Sequence, residues 1–180
     1  NAGAYLLERS VLDEIPPDQD VSIEREVFPK LVGNGLYGRR MEGYWIDIGT
    51  PERYRQANWD ILEGRVRTVV GDRLDERGLL VDEGAEVSDD AKLGAPALLA
   101  AGVEVAAGAT VGPRAVLGAG TTVAGEATVQ GSVLLPNCRV GSGARLREAV
   151  LASGVEVVPG AGTAPGAVIG EDERVGGLPE

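Results

Sequence analysis

The 180-residue chain contains no histidine. Imidazole bases, Ser–His and Cys–His nucleophile pairs and histidine-ligated zinc are therefore excluded. The single cysteine, Cys138, excludes an internal disulfide. It falls on a small inward position of the repeat described below, so a buried, inert thiol is expected. Apolar runs long enough to span a membrane are missing, and no signal peptide opens the chain. A cytoplasmic location without membrane partners is the expectation. Bases are few: 17 Lys and Arg stand against 28 Asp and Glu, for a net charge of −11. With no basic stripe in the sequence to displace counterions, nucleic acid is not an expected partner. The glycines form neither G-x-G-x-x-G nor G-x-x-x-x-G-K-[ST], so no nucleotide loop is present. Aromatics make up 4% of the chain and none follows Trp59, which separates a front third with a mixed core from a remainder built of Ala, Gly and Val.

What the remainder does have is a repeat. Val81, Val87, Leu93, Leu99, Val105, Val111, Leu117, Val123, Val129 and Leu135 recur every sixth residue. From Val87 onward a small or β-branched residue stands two places earlier, as in Ala97, Ala109 and Ala127. Each unit is thus a short strand, small–x–large, with its two ends pointing inward and its middle outward. The count slips by one at Val140 and again at Leu151, then resumes through Val157, Thr163, Ile169 and Val175. One unit cannot bury its own apolar face, so the repeat predicts a stacked solenoid. The outward residues fall into three classes taken in turn. The first is Leu98, Val116, Leu134, Val150 and Val168; the second runs from Glu86 and Glu104 to Arg174; the third is Lys92, Thr110, Thr128, Arg145 and Gly162. A period of three units means a coil with three sides, and about five coils fit in 81–175. The apolar first face is expected to pack on the rest of the protein or on a second subunit, making a homo-oligomer.

The front third alternates structure types. Ala4–Leu7 reads as a strand, Val11–Ile15 as a short helix capped by Ser10, and Ser22 opens a second helix with Glu24 and Glu26 in its first turn. Residues 36–49, LYGRRMEGYWIDIG, read as two strands around a turn. Thr50, Pro51 and Glu52 then start a helix whose buried stripe is Tyr54, Ala57, Ile61 and Leu62. The expected organisation is an α/β fragment over 1–64, a linker over 65–80, the solenoid over 81–175 and a tail over 176–180.

Asp47 is the sharpest chemical candidate. It lies among apolar neighbours in YWIDIGTPERY, at an expected strand end before a helix, where a carboxylate can hold Mg²⁺ against phosphates. It could equally cap a turn or pair with an arginine. Asn1 has an amide suited to sugar hydroxyls, or to a turn. Glu24 suits a helix start, and Trp45 suits either a sugar face or a core.

The order NAGAY, SIEREVFP, GYWIDIGTPERYRQAN and then hexapeptide repeats resembles the sugar-1-phosphate nucleotidyltransferases, most of all their mannose-1-phosphate guanylyltransferase branch. The resemblance implies an α/β fragment of a nucleotidyltransferase domain followed by a left-handed parallel β-helix. It implies that the chain is the C-terminal portion of a longer enzyme, inactive as a fragment, whose nucleotide-binding motifs lie upstream. Asp47 would be a metal-binding and catalytic aspartate for Mg²⁺, while Asn1, Glu24 and Trp45 would line the substrate pocket. The substrates would be a nucleoside triphosphate, GTP for this branch, and a sugar 1-phosphate; the products would be an NDP-sugar and pyrophosphate. Hexapeptide acyltransferases and carbonic anhydrases fit less well, since both use histidine. A non-catalytic regulatory or assembly module built on the β-helix is the alternative.

Overall fold

The computed structural model describes residues 3–176, which form part of two compact units, 1–45 and 46–180.

In the first unit, a 3₁₀ turn spans Arg9–Glu14. A wider π-type turn, Ile23–Val27, leads into the single-turn helix α1, Phe28–Leu31. Ser22 caps this segment: its hydroxyl accepts the Arg25 N–H at 3.3 Å, and its own N–H donates to Glu26 Oε1 at 3.0 Å. The reciprocal pair satisfies two donors that a helix start leaves open. Tyr5 meets the Phe28 ring edge-on with centroids 4.8 Å apart, and Val27 is buried.

The strands expected at Ala4–Leu7 and over 36–49 are not formed. The α/β fragment is corrected accordingly: among the described residues the front of the chain holds helices and turns without a sheet. A strand needs a neighbour for its backbone groups, and among the described residues none pairs with these segments. Their apolar side chains stay bare, with Leu6, Tyr37 and Met41 among the most exposed.

The second unit holds helix α2, Pro51–Leu62, and the solenoid. The α2 helix thus groups with the coil rather than with the front third. Thr50 caps it, accepting the Arg53 N–H at 3.3 Å, and Pro51 occupies the first turn.

The solenoid is three parallel sheets, each stacking one strand per coil. The first stacks Leu79–Val81, Ala97–Leu99, Ala115–Leu117, Val133–Leu134, Val150–Leu151 and Val168–Ile169. The second stacks Glu86–Val87, Glu104–Val105, Thr122–Val123, Arg139–Val140, Glu156–Val157 and Arg174–Val175. The third stacks Lys92–Leu93, Thr110–Val111, Thr128–Gln130 and Arg145–Arg147. The first strand, Leu79–Val81, starts inside the expected linker. The interior is one column of small and large residues in alternation, from Ala97 and Leu99 to Val155 and Val157, nearly all without solvent contact.

One outward assignment changes. Val133 pairs with Val116, and Leu134 pairs with Leu117. Leu134 therefore points inward into the core, with buried Ser132 as its small partner, and Val133 takes the outward place. The slip in the count falls at Leu134, one unit earlier than the sixfold spacing suggests. Val133, Leu134 and Leu135 are all apolar, so spacing alone does not choose among them.

Cys138 is buried as expected, with Sγ 3.1 Å from the Leu135 carbonyl and 3.2 Å from the Ala152 carbonyl. Burial pushes its thiol from 9.0 up to about 11. Because the folded value is raised, this stabilising contribution is complete below pH 9 and is lost as pH rises through 11. A disulfide-exchange reagent at pH 8 is expected to leave the native thiol untouched and to modify it fully in denaturant; rapid native labelling would contradict its burial. Leu117→Asp is expected to place a lone charge in the column and to cost about 4 kcal/mol, read from a urea midpoint.

Candidate functional site

The helix α2 and the corners of the coil build the most structured surface of the second unit. Three residues spaced four apart, two on α2 and one just past its end, meet three successive corners. A Glu63 carboxylate oxygen accepts from Arg114 Nε. Trp59 Nε1 donates to the Gly131 carbonyl at 3.2 Å. Arg55 Nη1 donates to the Glu148 carbonyl at 2.5 Å. Residues four apart lie on one helix face, so one helical turn addresses one coil. The ladder Arg114–Gly131–Glu148 has the same backbone at each level, with φ of 59°, 59° and 53°. This left-handed conformation is unfavourable for a residue with a Cβ. Arg114 and Glu148 occupy it where their groups are held against the helix.

Arg55 and Arg114 each carry their guanidinium carbon 5.1 Å from the centre of the Trp59 ring. Both contacts suit the ring's electron-rich face. Asp60 is buried but satisfied, bonded by Gln56 at 2.8 Å and Arg65 at 3.0 Å. Val133 and Val150, outward on the first sheet, are only 1% and 8% exposed. They follow directly on the corners that α2 grips. The apolar face is thus covered within the chain over these coils, while its last rung, Val168, is 53% exposed.

Beside Trp59, an open groove of about 600 Å³ is lined by Glu63, Pro113, Arg114, Gln130 and Arg147 among others. The spacing Arg55–Trp59–Glu63 is the signal in the sequence for this surface. It is easily missed because the expected apolar stripe, Tyr54, Ala57, Ile61 and Leu62, lies elsewhere on the helix, and the partners sit far along the chain. The groove has mixed charge and no cluster of acids, so it is equipped for docking and binding rather than for proton transfer.

Asp47, Glu24 and Trp45 are not among the residues that line this groove. Asp47 is exposed, and its Oδ1 accepts the Gly49 N–H at 2.9 Å in a tight turn just before the Thr50 cap. Glu24 is exposed and its Oε1 accepts from the Tyr5 hydroxyl. Trp45 is exposed. Asn1 lies outside the described residues. Glu24 and Trp45 belong to the first unit and Asp47 to the second. Among the described residues no three His, Cys, Asp or Glu side chains gather as a metal cluster. No helix among them is long and apolar enough to cross a membrane.

Residues 89–175 match the family described as GlmU-like, C-terminal hexapeptide. The mannose-1-phosphate guanylyltransferase of Mycobacterium tuberculosis (strain ATCC 25618 / H37Rv) is 42% identical over 98 residues, covering 52% of this chain and 26% of that protein. The mannose-1-phosphate guanyltransferase of Schizosaccharomyces pombe (strain 972 / ATCC 24843) is 34% identical over 104 residues, covering 51% and 27%. Over these stretches the chain is similar to the C-terminal portion of sugar-1-phosphate nucleotidyltransferases. The match spans about a quarter of the length of these two proteins. The UTP--glucose-1-phosphate uridylyltransferase of Synechocystis sp. (strain ATCC 27184 / PCC 6803 / Kazusa) is 38% identical over 71 residues, covering 38% and 18%. Among solved structures, the acetyltransferase domain of PglB from Neisseria gonorrhoeae FA1090 aligns over 77% of this chain and 70% of its own, at 20% identity and a TM-score of 0.34, too low to build on.

Truncating Trp59 removes its hydrogen bond, two cation contacts and packing on Gly131 together. Trp59→Ala is expected to destabilise the protein by about 2 kcal/mol, measured by chemical denaturation. An unchanged midpoint would show that the ring does not fasten the helix.

Proposed function

We propose that this chain is the C-terminal portion of a sugar-1-phosphate nucleotidyltransferase. The complete enzyme would join a nucleoside triphosphate to a sugar 1-phosphate and release pyrophosphate. By its relatives' names, GTP and mannose 1-phosphate are the favoured pair, with GDP-mannose as product. The observation that carries this reading is the 42% identity to the Mycobacterium protein, together with the motif YWIDIGTPERY. The bare Leu6, Tyr37 and Met41 support it, because segments with strand-like alternation and uncovered apolar side chains suit a sheet supplied by the rest of the enzyme.

In this reading the sugar-phosphate oxygen attacks the α-phosphate and pyrophosphate leaves. Such transfer depends mainly on positioning and charge neutralisation, and needs no histidine. Asp47 would hold Mg²⁺. The donor chemistry fits: Oδ1 is used by the Gly49 N–H, Oδ2 has no partner among the described residues, and magnesium commonly takes one or two carboxylates with the remainder from phosphates and water. Bound there, Mg²⁺ would offset charge on the phosphates. The Gly49 N–H orients the carboxylate through its bond to Oδ1, in the turn just before the cap of α2. Asn1, Glu24 and Trp45 are assigned to the sugar-phosphate pocket, and the Tyr5 hydroxyl fixes the Glu24 carboxylate.

A second reading, a non-catalytic assembly module, is favoured by the exposed outer rung Val168 at the end of the apolar face. Pyrophosphate release decides between them. The full-length protein bearing this chain is expected to release pyrophosphate from GTP and mannose 1-phosphate, and Asp47→Asn is expected to lower turnover about 100-fold or more with an unchanged melting curve. Absence of sugar-nucleotide synthesis with any triphosphate and sugar 1-phosphate would favour the assembly module, and near-normal turnover in the variant would remove Asp47 from the metal site.

A further inference from the structure

The coil assembles a basic surface from bases that are scattered along an acidic chain. The third sheet carries Lys92, Thr110, Thr128 and Arg145 at its outward positions, and no carboxylate occurs in any of its strands. The second sheet, by contrast, carries Glu86, Glu104 and Glu156. On the strand Arg145–Arg147 both arginines are exposed and, two residues apart, project from the same side. Their partners on the neighbouring strand are Thr128 and Gln130. Two N–H-rich side chains thus sit above a hydroxyl and an amide, at strand spacings of about 5 Å by 7 Å. Gly162 follows Arg145 in the stack and leaves the next level without a side chain.

These residues line a groove of about 460 Å³ together with Thr163 and Pro165. No carboxylate lines it, and among the described residues neither Arg145 nor Arg147 has an ion-pair partner. Adjacent, unneutralised guanidinium groups repel one another, and their fork of donors matches tetrahedral oxyanions.

We propose that this groove is an anion site for a phosphate group, held by Arg145 and Arg147 with Thr128 and Gln130 as neutral donors. The site is distinct from the residues assigned to nucleotidyl transfer and does not depend on that reaction. Its ligand is either inorganic phosphate or the phosphomonoester of a small metabolite.

The test is an amide-resolved NMR titration of the 180-residue chain at constant ionic strength, with inorganic phosphate in one arm and glycerol 3-phosphate in the other. Saturable shifts at Thr128, Gln130, Arg145 and Arg147 are expected, and the tighter arm identifies the source. Arg145→Gln with Arg147→Gln is expected to weaken binding about tenfold or more, without changing the thermal midpoint. Lys92→Gln, on the same sheet but several coils away, is expected to leave affinity unchanged. Unsaturable shifts in both arms, shifts centred elsewhere, or an equal loss in Lys92→Gln would overturn the proposal.

Discussion

Everything in the second unit rests on lateral pairing of equivalent short strands. A strand of two or three residues has too few hydrogen bonds to persist alone. Within the stack each interior one is bonded to a strand above and a strand below, and the inward side chains close the column. The alternation of Ala with Leu or Val lets neighbouring sides interdigitate along the axis. Stability is therefore shared between neighbouring coils, and a coil at an end loses half of its support. The incomplete burial of Val87 and Leu93 at one end, and of Ile169 and Val175 at the other, shows this directly.

The same regularity creates the surfaces. Because equivalent residues stack, any choice of outward side chain is repeated as a ladder, and a ladder becomes a face. One face is apolar and partly covered beside α2, one is acidic over its early coils, and one is basic. The corners carry a second kind of ladder, where Arg114, Gly131 and Glu148 present their groups to one helix. Docking and binding surfaces both follow from a repeat whose first purpose is to fill its own interior.

The coil was legible in the sequence because its signal is local and recurs many times. Its inward positions need no knowledge of distant residues; Leu99, Val105 and Val111 declare themselves by spacing alone. Where three apolar residues ran together, at Val133 to Leu135, spacing was silent and strand pairing with Val116 and Leu117 decided the register. The front third was less legible for a different reason. Alternation over 4–7 and 36–49 describes a side-chain pattern, but a strand also requires a bonded neighbour, and nothing in those segments specifies one. The contacts of α2 were hidden because Gly131 and Glu148 lie more than seventy residues from Trp59 and Arg55, and a carbonyl at a corner leaves no trace in composition. The third face was legible, since Lys92 and Arg145 fall in one outward class; what spacing did not show was Arg147 exposed beside Arg145 on one strand and the groove they line. Asp47 stood out by its apolar neighbours, and its exposed turn is compatible with ligand contact.

The match between α2 and the coil has a built-in limit. Four helical residues advance about 6 Å, whereas one coil advances about 4.8 Å. The two scales drift apart by roughly 1.2 Å per level, like the rulings of a vernier. Arg55, Trp59 and Glu63 span the few levels over which side chains can absorb that drift. Gly131 marks the zero of the scale, since a methyl group there would sit 3.3 Å from Trp59 Cζ2. A longer helix would run out of step with the corners, so the length of α2 and the place where it is anchored are set by the same arithmetic.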